Sequence, residues 1–484
     1  MPAVVPSNFN YVCTLLGGFI LTIGLLSHSI RDKLYVSESL PSLLFGMIFK
    51  SADLIRPSEY GTVTDITREF TRLVLGIQLT IAGSVLPMKY VRKEWLSILI
   101  LLVPVMSSMW IISGLIIFLC IPELRFLDAL IMAACVTPTD PVLSNSIVKG
   151  KFAEENLSQS LRNIISAESG ANDGFGYPFL FLALYIYHDK NTQIARDWIV
   201  ETLIYQIILS VVYGMIVGYA AMKILQFSRR KHLIDEESFY VFIFALAVFI
   251  IGTAGLLGTD DILACFVAGH FLNWDDWFQN NTKDNNLQAC VDYLLNIFIF
   301  AWLGAVTPWS DFSTPEIPVW RYIVMGIAVL IFRRLPAVVL TYRLIPRIED
   351  LREAIFSGFF GPIGVGAIFY LHVCLETMED FGESETTKYV MKAIAPVIYF
   401  LMVSSVVVHG LSIPILEFGP LILQRMLKGD RKFAESRPSL PARSVSPLEM
   451  ESNQVKAIGM RDLRFHADED AIEMDILSDN LDNS

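Results

Sequence analysis

Apolar residues fall in long runs along this chain, with polar and charged residues gathered between them. The runs lie near 9–27, 34–49, 70–88, 96–121, 126–148, 160–187, 198–226, 238–257, 260–273, 290–307, 318–341, 353–375 and 389–415. A membrane span needs about 20 apolar residues, fewer where it is buried or broken. The pattern therefore predicts an all-α polytopic membrane protein with about 13 transmembrane helices, of which 34–49 and 260–273 are the shortest.

Three stretches interrupt these runs, two with polar residues and one with glycines and a proline. Thr137-Pro138-Thr139-Asp140-Pro141 interrupts 126–148, and Glu168-Ser169-Gly170-Ala171-Asn172-Asp173 lies inside 160–187. Gly358-Phe359-Phe360-Gly361-Pro362-Ile363-Gly364-Val365-Gly366 interrupts 353–375. A helical proline lacks its own N–H and crowds the carbonyl four residues back. Pro138 is thus expected to free the carbonyl of Ala134, Pro141 that of Thr137, and Pro362 that of Gly358. The two proline breaks lie an odd number of spans apart, so their helices enter from opposite sides, which is the arithmetic of an inverted-topology repeat.

Composition supports the membrane reading. Hydrophobic residues make up 54% of the 484 and charged ones 18%, against about 25% charged in soluble domains. The net charge of −12 is carried partly by the tail and two loops, and no nucleic-acid partner is expected. The six cysteines are scattered in or beside apolar runs, as buried small hydrophobes are and as a disulfide framework is not. Met1–Asn10 lacks a basic n-region, so the first run is expected to be a retained helix.

Lysine and arginine set the orientation. Lys89, Arg92 and Lys93, then Lys149, Lys151 and Arg162, then Arg229, Arg230 and Lys231, then Arg343, Arg347 and Arg352, and finally Lys428, Arg431 and Lys432 all fall on one side, the cytoplasm. The division expected is a transmembrane domain at 1–427 and a cytoplasmic, largely disordered acidic tail at 428–484. In the tail, Ser446-Pro447 is a candidate phosphorylation site, through which kinases or regulatory proteins would act.

A central intramembrane Asp costs roughly 2.5–3.5 kcal/mol, so such residues are functional by default. Asp173, beside Asn172 and about one helical turn from Glu168, is the first candidate for carrying a cation and a proton. Burial favours the protonated carboxyl and a bound cation favours the carboxylate, so one site holds either and couples the two fluxes. Asn172 reads equally as a neutral ligand or as a helix-packing residue. Asp140 reads equally as a cation ligand or as the cap of an exposed half-helix N-terminus. Thr137 and Thr139 each offer a hydroxyl and a carbonyl, and only one of the two is expected to face the site. Glu168 and one of Arg333 and Arg334 are expected to form a buried ion pair, the sequence leaving open which arginine. Asp260 and Asp261 line a cation entrance or cap a short span. His270 and His409 read first as packing residues, although their intrinsic titration suits pH sensing.

Hard cations take oxygen ligands, and these residues point to a hard cation held at Asp173, or at Asp173 and Asp140 together, without a cofactor. The sequence resembles the fungal plasma-membrane alkali-cation/proton antiporters, a branch of the cation:proton antiporter superfamily. The likeness spans about residues 10–420. It rests on Thr137 to Leu143, on Glu168 to Asp173, on Arg333-Arg334, on Gly361 to Tyr370, and on His409-Gly410-Leu411-Ser412. The resemblance implies Na+ or K+ bound at Asp173, a role for Asp140 at the unwound helix where that cation sits, and a structural Glu168–arginine pair. It also implies a homodimer in membrane lipid that exports Na+, Li+ and K+ in exchange for H+, serving salt tolerance and intracellular pH. Two other readings stand beside it, a cation channel and an intramembrane aspartyl protease using Asp140 and Asp173.

Overall fold

In a bilayer every backbone polar group needs an internal partner, and a helix supplies one within its own segment. The computed structural model describes residues 7–27, 33–141, 143–144, 156–188, 193–315, 317–382 and 385–435, and every regular element among them is helical. The first four helices are α1 (Asn8–Ser27), α2 (Ser39–Ser51), α3 (Val63–Val85) and α4 (Trp95–Cys120). They are followed by α5 (Phe126–Cys135), α6 (Gln159–Gly174), α7 (Tyr177–His188) and α8 (Ile194–Arg230). Next come α9 (Glu236–Leu257), α10 (Asp261–Leu272), α11 (Leu287–Val306) and α12 (Val319–Phe332). The last four are α13 (Leu335–Thr341), α14 (Leu351–Phe359), α15 (Val365–Glu379) and α16 (Glu385–Glu435).

Among the described residues, seven helical segments are long and apolar enough to cross a membrane, α12 and α13 counting together as one (Val319–Leu344), with α5 and α10 as shorter apolar helices. Their outward faces carry large exposed apolar side chains, such as Ile111, Leu115 and Leu119 on α4 and Ile216 and Ile224 on α8. Lipid is the solvent that tolerates such faces.

Four of the apolar runs are not single helices. Two breaks follow the prolines: α5 stops at Cys135, with helix resuming at Pro141, and α14 stops at Phe359, with α15 starting at Val365. Two others depart from the continuous spans expected at 160–187 and 318–341. The first bends at Phe175-Gly176 between α6 and α7, and the second at Arg333-Arg334 between α12 and α13. Pro178 and Pro336 account for these bends, since neither can donate to the carbonyl four residues back and each instead falls in the first turn of a new helix, where the missing N–H costs nothing.

The chain forms two compact units, Met1–Phe418 and Gly419–Ser484. Within the first, one large cluster of buried apolar side chains runs through α3 to α7 and α12 to α16. A second gathers around Met222 and Leu225 of α8, Phe239 and Ile243 of α9, and Cys265 of α10. α3 contributes Leu75 and Leu79 to the first and Ile81 to the second. At the seam α6 lies against α10, with Gly174 facing Leu263 and Gly170 facing the Phe266 ring. Of the tail expected at 428–484, residues 428–435 continue α16, while Ser446-Pro447 and the acidic end lie outside the described residues.

Candidate functional site

The two proline breaks meet in space: the Asp140 N–H donates to the Pro362 carbonyl at 2.9 Å. Broken helices leave N–H groups at one end and carbonyls at the other without helical partners, and these ends carry opposite partial charge. One acid and one base answer both. The Asp140 carboxylate, 1% exposed, accepts the Leu143 N–H at 2.9 Å and the Val365 N–H at 2.8 Å. It therefore caps the positive ends of both resumed helices.

Arg333, 3% exposed, donates to the carbonyls of Val136 and Gly361, at the negative ends of α5 and α14. His409 serves the same end of α14, its Nε2 3.0 Å from the Phe359 carbonyl while Nδ1 faces Ser405. Ser405 Oγ in turn accepts the Ile363 N–H at 2.7 Å. The Ala134 carbonyl, expected to be free because of Pro138, instead accepts the Thr137 N–H at 3.3 Å. The helix end tightens by one residue and recovers that bond.

Arg334 is the arginine that meets Glu168. Its guanidinium makes a two-pronged contact with the carboxylate, one prong at 2.7 Å to Oε2, and both side chains are almost fully buried. Arg334 Nε also donates to the Ser357 carbonyl at 3.0 Å. The planar guanidinium suits a carboxylate in this way. At the bend between α12 and α13 the two neighbouring side chains diverge, and Arg333 is turned to the breaks.

Asn172 is clamped to the unwound segment between the helix ends. Its Oδ1 accepts the Thr139 N–H at 3.2 Å, and its Nδ2 donates to Thr139 Oγ1 at 2.7 Å. From Thr139 Oγ1 a hydroxyl chain runs to Ser169 Oγ at 3.3 Å and on to Ser144 Oγ at 3.1 Å. Thr137 is turned to its own helix, donating to the Ala133 carbonyl at 2.8 Å.

Asp173 sits in the last turn of α6, 1% exposed. Its backbone carbonyl accepts the Tyr370 hydroxyl, yet neither carboxylate oxygen has a hydrogen-bond partner among the described residues. The carboxylate lies against α15, where a Cβ placed on Gly366 would be 2.5 Å from Oδ1. Two residues earlier, a Cβ on Gly364 would collide with Asp140 Cγ. The two aspartates thus rest on one short stretch at the start of α15.

Asp260 and Asp261 begin α10. Asp260 caps it, Oδ1 accepting the Leu263 N–H at 3.0 Å, while Asp261 pairs with Arg72 of α3 at 2.6 Å. His270, by contrast, is buried beside the rings of Phe271 and Trp274. Residues that reasoning from polar intrusions passed over are Ser144, Ser405 and Arg72. Tyr370 and Gly366 lie in the motif Gly361 to Tyr370, and their side-chain-level roles needed the fold.

Residues 18–419 match the family described as sodium/hydrogen exchanger, transmembrane. The chain is 38% identical over 489 residues to a probable Na+/H+ antiporter of Schizosaccharomyces pombe, covering 94% of this chain and 64% of the relative. It is 40% identical over 432 residues to a Na+/H+ antiporter of Saccharomyces cerevisiae, covering 85% and 44%. The chain thus spans about half to two thirds of the length of these relatives. In architecture it resembles the sodium proton antiporter MjNhaP1 of Methanocaldococcus jannaschii, with a TM-score of 0.62 at 18% identity over 84% of this chain and all of the other.

Proposed function

The chain belongs to the sodium/hydrogen exchanger family, and on that footing we propose that it is a secondary antiporter that exports Na+, and with it Li+ and K+, in exchange for H+. The observation that carries this reading is the Asp173 carboxylate, buried in the membrane region with no hydrogen-bond partner among the described residues for either oxygen. An isolated buried charge is very costly, so such a group is held either protonated or beside a cation. Exchange of one for the other is the coupling step.

The residues around it divide the work. Asp173 supplies the negative ligand, and oxygens of the break from Thr137 to Asp140 supply neutral ones, including the Thr137 carbonyl that Pro141 leaves without a helical donor. Asn172 orients the break, its amide being committed to Thr139. Asp140 and Arg333 neutralise the broken helix ends, so the unwound backbone persists at membrane depth. Glu168 and Arg334 are structural. A channel filter built from the carbonyls at these breaks is disfavoured, because Arg333 takes those of Val136 and Gly361. Paired aspartyl chemistry is disfavoured because both Asp140 oxygens accept backbone N–H groups.

The protein is proposed to work as a homodimer in the plasma membrane with its C-terminus in the cytoplasm, where kinases or regulatory proteins would reach the tail. The test is cation flux into sealed proteoliposomes under an imposed pH gradient, with sodium, lithium, potassium and rubidium compared. Flux that reverses with the gradient is expected. Flux that follows only the membrane potential would make the protein a channel.

A further inference from the structure

Gly366 is placed where a side chain would collide with the carboxylate of Asp173. An ideal Cβ there would lie 2.5 Å from Oδ1, 3.0 Å from Cγ and 3.1 Å from Oδ2. All three distances are shorter than ordinary van der Waals contact, and the obstructed group is not the far end of a long chain. Asp173 has a single carbon between its backbone and its carboxylate. Its own carbonyl is tied to Tyr370, one turn along the same helix as Gly366.

Gly366 itself has little freedom to withdraw. Val365, its neighbour, donates its N–H to Asp140 at 2.8 Å, and Gly364, one residue further back, is pressed against the Asp140 carboxylate. The start of α15 is therefore fixed against one aspartate and bare against the other. A methyl group at 366 would force the Asp173 carboxylate out of the position it holds against the glycine.

Resting on the reading that Asp173 carries the cation, we propose that the missing side chain of Gly366 sets the size of the cation chamber, making Gly366 a specificity-determining residue. Selectivity among hard cations follows chamber size and ligand freedom. Potassium and rubidium, the larger cations, need the carboxylate set back as far as the glycine allows, and lithium and sodium need less room. One methyl group in a fitted pocket discriminates by about tenfold or more.

The experiment compares the parent, G366A, D173E and D173N as full chains in proteoliposomes. Apparent affinities for lithium, sodium, potassium and rubidium are read under one pH gradient, with melting temperatures in detergent alongside. The lithium-to-potassium affinity ratio of G366A should rise about tenfold over the parent, at a melting temperature near the parent's. An unchanged ratio overturns the proposal. So does an equal loss for all four cations, which would make Gly366 a packing residue only. If G366A melts early, D173E decides: its extra methylene fills the same space from the other side, and the ratio must move in the same direction or the proposal fails. D173N tests the premise separately, since pH-driven flux retained in that variant removes Asp173 as the carrier, whatever the ratio in G366A.

Discussion

Replacing Glu168 with alanine strips the partner from a guanidinium that the fold cannot expose. Arg334 is 3% exposed and Glu168 1%, so the pair is buried by any measure. Removing one member of such a pair costs about 3–5 kcal/mol, because a charge is left in a low-dielectric interior. The residual bond from Arg334 Nε to the Ser357 carbonyl keeps one donor satisfied and places the expected loss toward the lower end of that range. The assay is thermal unfolding in detergent, where Glu168→Ala should melt well below the parent. Arg334→Ala should resemble it, and the double variant should recover part of the loss, since neither charge then remains. Arg333→Ala should also destabilise, by about 1–3 kcal/mol for each buried carbonyl left unpaired. That loss should not be relieved by Glu168→Ala, because Arg333 serves Val136 and Gly361 instead. A Glu168→Ala protein that melts with the parent and loses only transport would refute the structural assignment and turn Glu168 into a carrier.

Other expected outcomes follow from the same geometry. Asp140→Asn should cost about 1–3 kcal/mol, since one of the two N–H groups now accepted, from Leu143 or Val365, would face an amide NH2; an unchanged melting temperature and cation affinity would remove its capping role. Arg72→Ala should destabilise by a similar amount by leaving the buried Asp261 carboxylate without its partner, and adding Asp261→Asn should restore part of it; no recovery in the double variant would mean that the 2.6 Å pair is incidental. Deleting residues after Glu435 should leave exchange in proteoliposomes intact, because clustered charge and low apolar content give that segment little to pack with; loss of exchange at normal protein levels would make the tail part of the carrier.

The breaks at Pro138, Pro141 and Pro362 were legible because a proline inside an apolar run cannot continue the helix without giving up a backbone bond. The bends at Phe175-Gly176 and Arg333-Arg334 were not, since in each case the proline lies just beyond the bend, at a position that a helix tolerates. The need for a buried arginine partner to Glu168 was visible in one dimension. Which arginine it is depends on how α12 and α13 turn against α14, and no local pattern encodes that. Asp140 could be read as ligand or cap until the fold showed that its two oxygens reach two different helices. Asn172, weighed in sequence as ligand or packing residue, is tied by both ends of its amide to Thr139, a contact that no local pattern encodes. Gly366 stood in plain sight within a glycine-rich stretch, and only the approach of Asp173 from another helix gives it meaning.

The central claim is that a proton and a cation compete for Asp173, and initial sodium flux in sealed proteoliposomes, measured against sodium concentration at several pH values, tests it most directly. Competition at one carboxylate predicts that the apparent KM for sodium climbs as pH falls while the maximal rate holds, and that Asp173→Asn shows no pH-driven flux at all. A maximal rate that falls with an unchanged KM, or an Asp173→Asn variant that still exchanges sodium near the parent level, would contradict it.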